Sequence, residues 1–100
     1  MIAELRFYTI TPGHGEELFE EFTSVSLKLF AKHGITAYGP WRRELTKGEQ
    51  LVYVLEFADE QDRSERWSAF RADPQWQAVL RARAEAEPHI AGSEILQLTR

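Results

Sequence analysis

The spacing of apolar positions changes several times along the chain, and each change marks an element. Residues 51–57, LVYVLEF, are apolar at both parities: Leu51, Tyr53, Leu55 and Phe57 at one, Val52 and Val54 at the other. Side chains of a strand alternate between faces, so a strand of this kind needs a covering layer on each side. A chain of 100 residues has helices enough for one layer, and the second is expected from another copy.

The other elements follow from the same reading. Ile2 to Thr11 is a predicted strand, with Ala3, Leu5 and Phe7 on one face and Glu4, Arg6, Tyr8 and Ile10 on the other. Pro12-Gly13 ends it. From His14 to His33 the apolar residues Leu18, Phe22, Val25 and Leu29 recur at helical spacing. Glu16 and Glu17 suit the positive end of that helix, Lys32 and His33 the negative end, and Gly34 its left-handed cap. Ile35 to Leu45 is a second strand, and Gly39-Pro40 within it points to an edge or a bulge. Residues 46–50 form a hairpin loop before the strand at 51–57. Asp59 is an N-cap with Asp62 in a capping-box-like position, and Trp67 and Phe70 make the buried stripe of the helix that follows. Asp73-Pro74 restarts the helix, with Trp76, Val79, Leu80 and Arg83 facing inward. Pro88 stops it, and Ile90 to Thr99 is the last strand, with Ile95 at one parity and Leu96 and Leu98 at the other.

The order β-α-β-β-α-β is the ferredoxin-like, split βαβ arrangement: one α+β domain over residues 1–100, with a four-stranded antiparallel sheet in the order 4-1-3-2. Its uncovered face would carry a larger apolar patch than monomers usually expose. An isologous homodimer through the sheet faces is the expected remedy.

Composition narrows the function. With 12 basic and 16 acidic residues the net charge is −4, and Arg42-Arg43 is the one adjacent basic pair, so a nucleic-acid partner is not expected. The absence of cysteine excludes disulfides and thiolate chemistry and fits a cytoplasmic setting. Neither a signal-peptide pattern nor a run of about 20 apolar residues is present, so no membrane partner is expected.

The best site candidate is a polar group within an apolar sheet face. Antiparallel pairing of the first and third strands would gather Glu4, Arg6, Tyr8 and Glu56, with Glu56 sharing their face alongside Val52 and Val54. Buried charges pair or bind something. Arg6 could therefore bind an anionic oxygen, or it could simply bridge the two glutamates at the dimer interface. On the second strand Trp41 and Arg43 point one way and Arg42 goes with Tyr38. One of these arginines could clamp a carboxylate or could discourage edge pairing. His14, in the turn before the first helix, is a candidate ligand contact near free amides. His33 suits a helix end, and His89 is expected to be solvated. No histidine pair has the spacing of a metal motif such as HExxH, and neither metal nor cofactor is expected. The serines lack a nucleophile-elbow context, and Ser64 and Ser68 are expected to face solvent.

Several short motifs, in order, carry a family resemblance: Glu4-Leu5-Arg6-x-Tyr8, Pro12-Gly13, Gly39-Pro40-Trp41, the run Tyr53 to Asp59, then Arg63, Arg66, Trp67 and Asp73-Pro74-x-Trp76. Together they resemble the NIPSNAP family of the dimeric α+β barrel superfamily, over nearly the whole chain. The family commonly has serine where Asp59 stands, and either residue caps a helix. The resemblance implies a homodimer whose two sheets pack face to face around a cavity. Animal members are longer and have proposed vesicle and mitochondrial roles; this chain is similar to the single-domain bacterial kind. The superfamily includes cofactor-free monooxygenases, haem-degrading enzymes, muconolactone-isomerase-like proteins and stress-response dimers, and a shared fold does not transfer function.

The resulting expectation is a homodimer binding a small apolar or aromatic anion between its sheets. As a cofactor-free oxidase or isomerase it would use Arg6 for the anion, Tyr8 for orientation and Glu4 or Glu56 for the proton. The alternatives are a non-catalytic metabolite-binding protein and a structural dimer or adaptor. Haem binding is a further alternative.

Overall fold

In the computed structural model, which describes residues 1–100, the order is β1 (Ile2–Ile10), α1 (Gly15–Glu21), a π-helical turn (Phe22–Ser26), α2 (Leu27–Lys32), β2 (Thr36–Glu44), β3 (Glu49–Phe57), α3 (Glu60–Ala72), α4 (Pro74–Glu85) and β4 (Ile90–Thr99). All four strands pair antiparallel in the order β2-β3-β1-β4. This is the expected ferredoxin-like α+β arrangement. No helix is long and apolar enough to cross a membrane.

The predicted helix over 14–33 contains a π turn that its periodicity explains. Leu18, Phe22, Ser26 and Phe30 are all buried, each four residues after the last. A step of four overshoots the 3.6-residue turn by about 0.4 residue, and the wider π turn absorbs the excess, keeping the four on one face. Gly34 takes the left-handed conformation, φ 68°, as the helix end requires. Asp59 caps α3 by accepting from the Asp62 amide at 2.8 Å, and the Asp62 carboxylate accepts from the Ala58 amide at 2.9 Å. Asp73 caps α4 through the Gln75 amide at 2.7 Å.

The helices cover one face of the sheet. There Leu51, Tyr53, Leu55 and Phe57 of β3 are fully buried against Leu18, Phe22, Phe30, Trp67 and Phe70. The rings of Phe30 and Phe70 stack at 4.9 Å. Ser64 and Ser68 face solvent as expected. Leu80 does not face inward and is exposed, because α4 lies at the rim and buries none of its residues. Cover also fails over β4: Ile95, opposite Arg6 and hence on the helix side, is 49% exposed.

The register corrects the expected face of the polar group. Glu4 pairs with Leu55, Arg6 with Tyr53 and Tyr8 with Leu51, and residues directly opposite share a face. Glu4, Arg6 and Tyr8 therefore lie beneath the helices, with the buried parity of β3. Glu56 pairs with Ala3 and lies on the open face with Val52 and Val54. The open face thus carries Ala3, Leu5, Phe7, Val52, Val54, Leu96 and Leu98. On β2 the register slips between Tyr38 and Trp41. The slip places Tyr38, Trp41 and Arg43 together on the open face and sends Arg42 to the helix side opposite Leu51, so Arg42 does not go with Tyr38.

Candidate functional site

The expected four-residue group is split by the sheet. Beneath the helices, Glu4 of β1 has no exposure, and its carboxylate accepts from Arg63 Nε at 3.1 Å, Arg63 Nη2 at 2.9 Å and Trp67 Nε1 at 3.2 Å. Arg63 and Trp67 are four apart on α3, so one helix face delivers both donors. Removed from water, this carboxylate is tolerated because each of its oxygens accepts a hydrogen bond. Glu4 is therefore held by three hydrogen bonds that tie α3 to β1.

Arg6 lies two residues along the same face. Its guanidinium stacks 4.6 Å over the Trp67 ring, and its side chain is 15% exposed. Arg6 Nε is 3.5 Å from Glu4 Oε1, without the alignment of a hydrogen bond, and is the one buried side-chain donor in the chain left without a partner. Burial opposes the charge on Arg6, but Tyr53 and Glu4 beside it prevail, and its pKa lies above the ordinary guanidinium value. Tyr53 sits directly across from Arg6, and its hydroxyl is 2.8 Å from that of Tyr8. Burial pushes the Tyr53 phenol far above the usual tyrosine range, Tyr8 adds to this, and Arg6 works against it. Tyr53 is thus a neutral hydroxyl at physiological pH. The π turn lies over this pair, with the Phe22 ring 4.6 Å from Tyr53. One cation with an unused donor, two hydroxyls and an indole make a surface that can orient an anionic oxygen. It offers no free base.

Trp41, Arg43 and Glu56 belong to the other face. Trp41 is 52% exposed. Arg43 donates to Gln50 Oε1 at 3.2 Å and Gln50 donates to Thr9 Oγ1 at 3.2 Å, so this arginine is held along the sheet. Glu56 accepts from the Tyr38 hydroxyl at 3.3 Å. His14 joins neither group. It precedes α1 without capping it, and its ring stacks on His89 at 4.8 Å, so His89 is not the solvated loop residue the sequence predicts. His33 does sit at a helix end, where it also meets Asp73 Oδ2 at 2.7 Å. A cavity of about 380 Å³ lies apart from Arg6, between α1, α4 and the start of β4.

Tyr53, Arg63 and Trp67 are the members of the buried group that sequence reading missed as functional. Their signal was present: Arg63 and Trp67 stand at i, i+4 spacing on a helix expected to pack on a strand that carries two charges.

Solved structures share this fold. A NIPSNAP domain protein from Burkholderia xenovorans is 23% identical with a TM-score of 0.85, over 100% of this chain and 94% of that one. Protein Atu4242 from Agrobacterium tumefaciens is 21% identical with a TM-score of 0.84, over 99% of this chain and 92% of that one. More distant is a monooxygenase from Streptomyces coelicolor, in complex with the ligand nanaomycin D, at 15% identity and a TM-score of 0.64, over 99% of this chain and 86% of that one. No curated protein matches the chain. The NIPSNAP family model matches residues 3–99, and the chain accordingly belongs to the NIPSNAP family.

Proposed function

We propose that this protein is a homodimer that binds a small apolar or aromatic molecule bearing an anionic group, with Arg6 as the anion contact. The observation that carries the reading is the unpartnered Nε of Arg6, buried over Trp67 beside an uncovered stretch of β4. A buried donor without a partner costs about 1–3 kcal/mol, and an anionic oxygen placed there would remove that cost. Tyr8 and Tyr53 would supply further hydrogen bonds, and Trp67 and Ile95 an apolar wall. This puts the ligand on the helix side of the sheet. Glu4 is engaged and Glu56 lies on the other face, so the site supports binding without a proton-transfer role for either. A monooxygenase of similar fold holds an organic ligand, which is consistent with a binding site on this scaffold.

The open face supports the dimer. Leu5, Phe7, Val52 and Val54 are backed by Tyr38, Trp41, Leu96 and Leu98, and the last four are each at least 45% exposed. A contiguous apolar sheet face of this kind is larger than monomers usually leave to water, and a second copy of the same face is its natural complement.

Native mass spectrometry of the untagged protein, titrated with aromatic carboxylates of one and two rings, tests both parts. The expected spectrum is a dimer that gains carboxylate mass, with Arg6→Gln keeping the dimer and losing at least about tenfold in affinity, the scale of one charge-assisted hydrogen bond. A monomer would end the dimer reading. A dimer that takes up no carboxylate, or an Arg6→Gln protein that binds as tightly as the parent, would end the ligand reading.

A further inference from the structure

A second cluster of reactive side chains sits at the far end of β1 from Glu4. Two short arms meet there. One is His14-x-x-Glu17, at the start of α1; the other is Glu87-x-His89, just before β4. Their backbones are fixed to each other. The Thr11 amide donates to the His89 carbonyl at 2.9 Å, the His14 amide donates to the Thr11 carbonyl at 3.0 Å, and Ile10 pairs with Ile90.

The side chains converge. Glu17 Oε2 is 2.9 Å from His89 Nε2 and 3.4 Å from His14 Nδ1. One donor atom from each of His14, Glu17 and His89 falls within a span of 4.8 Å. The other ring nitrogen of His14, Nε2, is 3.5 Å from Glu87 Oε2. Both imidazoles are half-buried, at 19% and 25% exposure. His89 and Glu87 also line the 380 Å³ cavity, whose walls include Leu18, Val79, Ala82 and Ile90.

We propose that His14, Glu17 and His89 form a binding site for a divalent transition-metal ion of the zinc class. Metal–ligand bonds of 2.0–2.2 Å set tetrahedral donors about 3.3 Å apart; the two contacts to Glu17 Oε2, at 2.9 and 3.4 Å, are near that spacing, and the full 4.8 Å span of the three donors closes to it by rotation of the stacked imidazoles. Two imidazoles with one carboxylate is a donor set suited to zinc and its neighbours, and a poor one for magnesium or calcium, which take oxygen ligands. A ligating histidine usually gives its second ring nitrogen to a carboxylate that fixes its orientation, and Glu87 stands where that partner belongs. Three protein ligands leave a fourth position for water or a bound molecule, and His89 among them lines the cavity. The site is carried by residues that the Arg6 reading does not use, so either can fail without the other.

The untagged protein, freed of metal by a chelator, would be titrated with Zn²⁺ by calorimetry and with Co²⁺ by visible absorption. The expected result is one equivalent per chain, with the ring resonances of His14 and His89 moving on Zn²⁺ addition and that of His33 staying in place. His89→Ala and Glu17→Gln should each weaken binding at least about tenfold, and Glu87→Gln about tenfold through the loss of orientation. Glu17 is exposed, so its variant reports on the site without threatening the fold. The proposal is overturned by an absence of heat and Co²⁺ absorption in the parent protein. It is equally overturned by undiminished affinity in Glu17→Gln together with unmoved His14 and His89 resonances, which would leave the cluster as a stacked pair held by ion pairs.

Discussion

Both faces of the sheet are largely apolar, and they differ in where charge is set among the apolar side chains and in what covers them. The covered face holds charge: Glu4 without exposure, Arg6 over Trp67, and the Tyr8–Tyr53 hydroxyl pair. The open face holds hydrocarbon: Leu5, Phe7, Val52 and Val54, with Leu96 and Leu98 beyond them. Burying charge costs more than leaving it in water and exposed apolar area gains nothing, so the buried Glu4 and Arg6 and the uncovered hydrocarbon each ask for a reason beyond folding. The difference separates two tasks. Charge on the covered face fixes one helix to one strand, while hydrocarbon on the open face is the surface assigned to the proposed dimer.

Removing Glu4 should break the covered face, and this is the largest effect expected. Glu4→Ala would leave Arg6 and Arg63 without their shared carboxylate and Trp67 without its acceptor. Breaking one side of a buried ion pair costs about 3 kcal/mol or more. For a domain of this size that lowers the melting temperature by more than about 10 °C. Calorimetry of the two proteins at neutral pH measures it. A fall of only a degree or two would mean that the carboxylate contributes little and that packing of Trp67 alone holds α3.

Charges placed on the open face should act on assembly and leave the fold alone. Leu5 and Leu96 are cross-strand partners on that face, so Leu5→Asp with Leu96→Asp puts two carboxylates side by side, repeated by symmetry in an isologous contact. The dimer dissociation constant should rise at least about 100-fold, read by light scattering on a sizing column, while far-ultraviolet circular dichroism stays native. A parent protein that elutes as a monomer at the same concentration would remove the reason offered for the open face.

The split between the faces also explains what could be read from the chain beforehand. The Asp59 and Asp73 caps, the Gly34 cap and the irregularity at Gly39-Pro40 are local signals, each written in a few adjacent residues, and each is present in the fold, while strand order follows from the β-α-β-β-α-β succession of elements. The parity of β1 was equally legible: Glu4, Arg6 and Tyr8 do share a face. Which face it is depends on the pairing of β1 with β3, and a shift of one residue exchanges every side chain. Both parities of β3 are apolar, so hydropathy does not choose between them, and Glu56 lies on the face opposite Glu4, Arg6 and Tyr8. The donors on Glu4 decide it, because Arg63 and Trp67 can reach only a residue that faces α3. The His14–His89 stack was illegible for another reason. It joins residues 75 positions apart through the turns at the ends of β1 and β4, and no spacing along the chain marks it.

Acid should loosen the covering layer before it touches the open face. Asp73 ends α3, caps α4 and meets Lys32 and His33 at the end of α2, each at 2.7 Å from Oδ2. The hydrogen bond from Lys32, then that from His33, hold its carboxyl well below the ordinary aspartate range. A carboxyl depressed in the folded state adds stability above its unfolded pKa, about 3.9, and that stability fades as pH falls toward the folded value. The melting temperature of the parent protein should therefore decline from about pH 4 downward. Asp73→Asn, which keeps a capping side chain but loses the charge, should melt several degrees lower at neutral pH and show a flatter decline, so that the two curves converge in acid. Parallel curves over that range would mean that the pairing of Asp73 with Lys32 and His33 carries none of the acid sensitivity. The open face carries Glu56 and Glu94 but no carboxyl clasped in this way, so the oligomer should persist through the first part of the decline. Loss of the dimer ahead of any loss of helix signal would reverse the assignment of the acid-sensitive half.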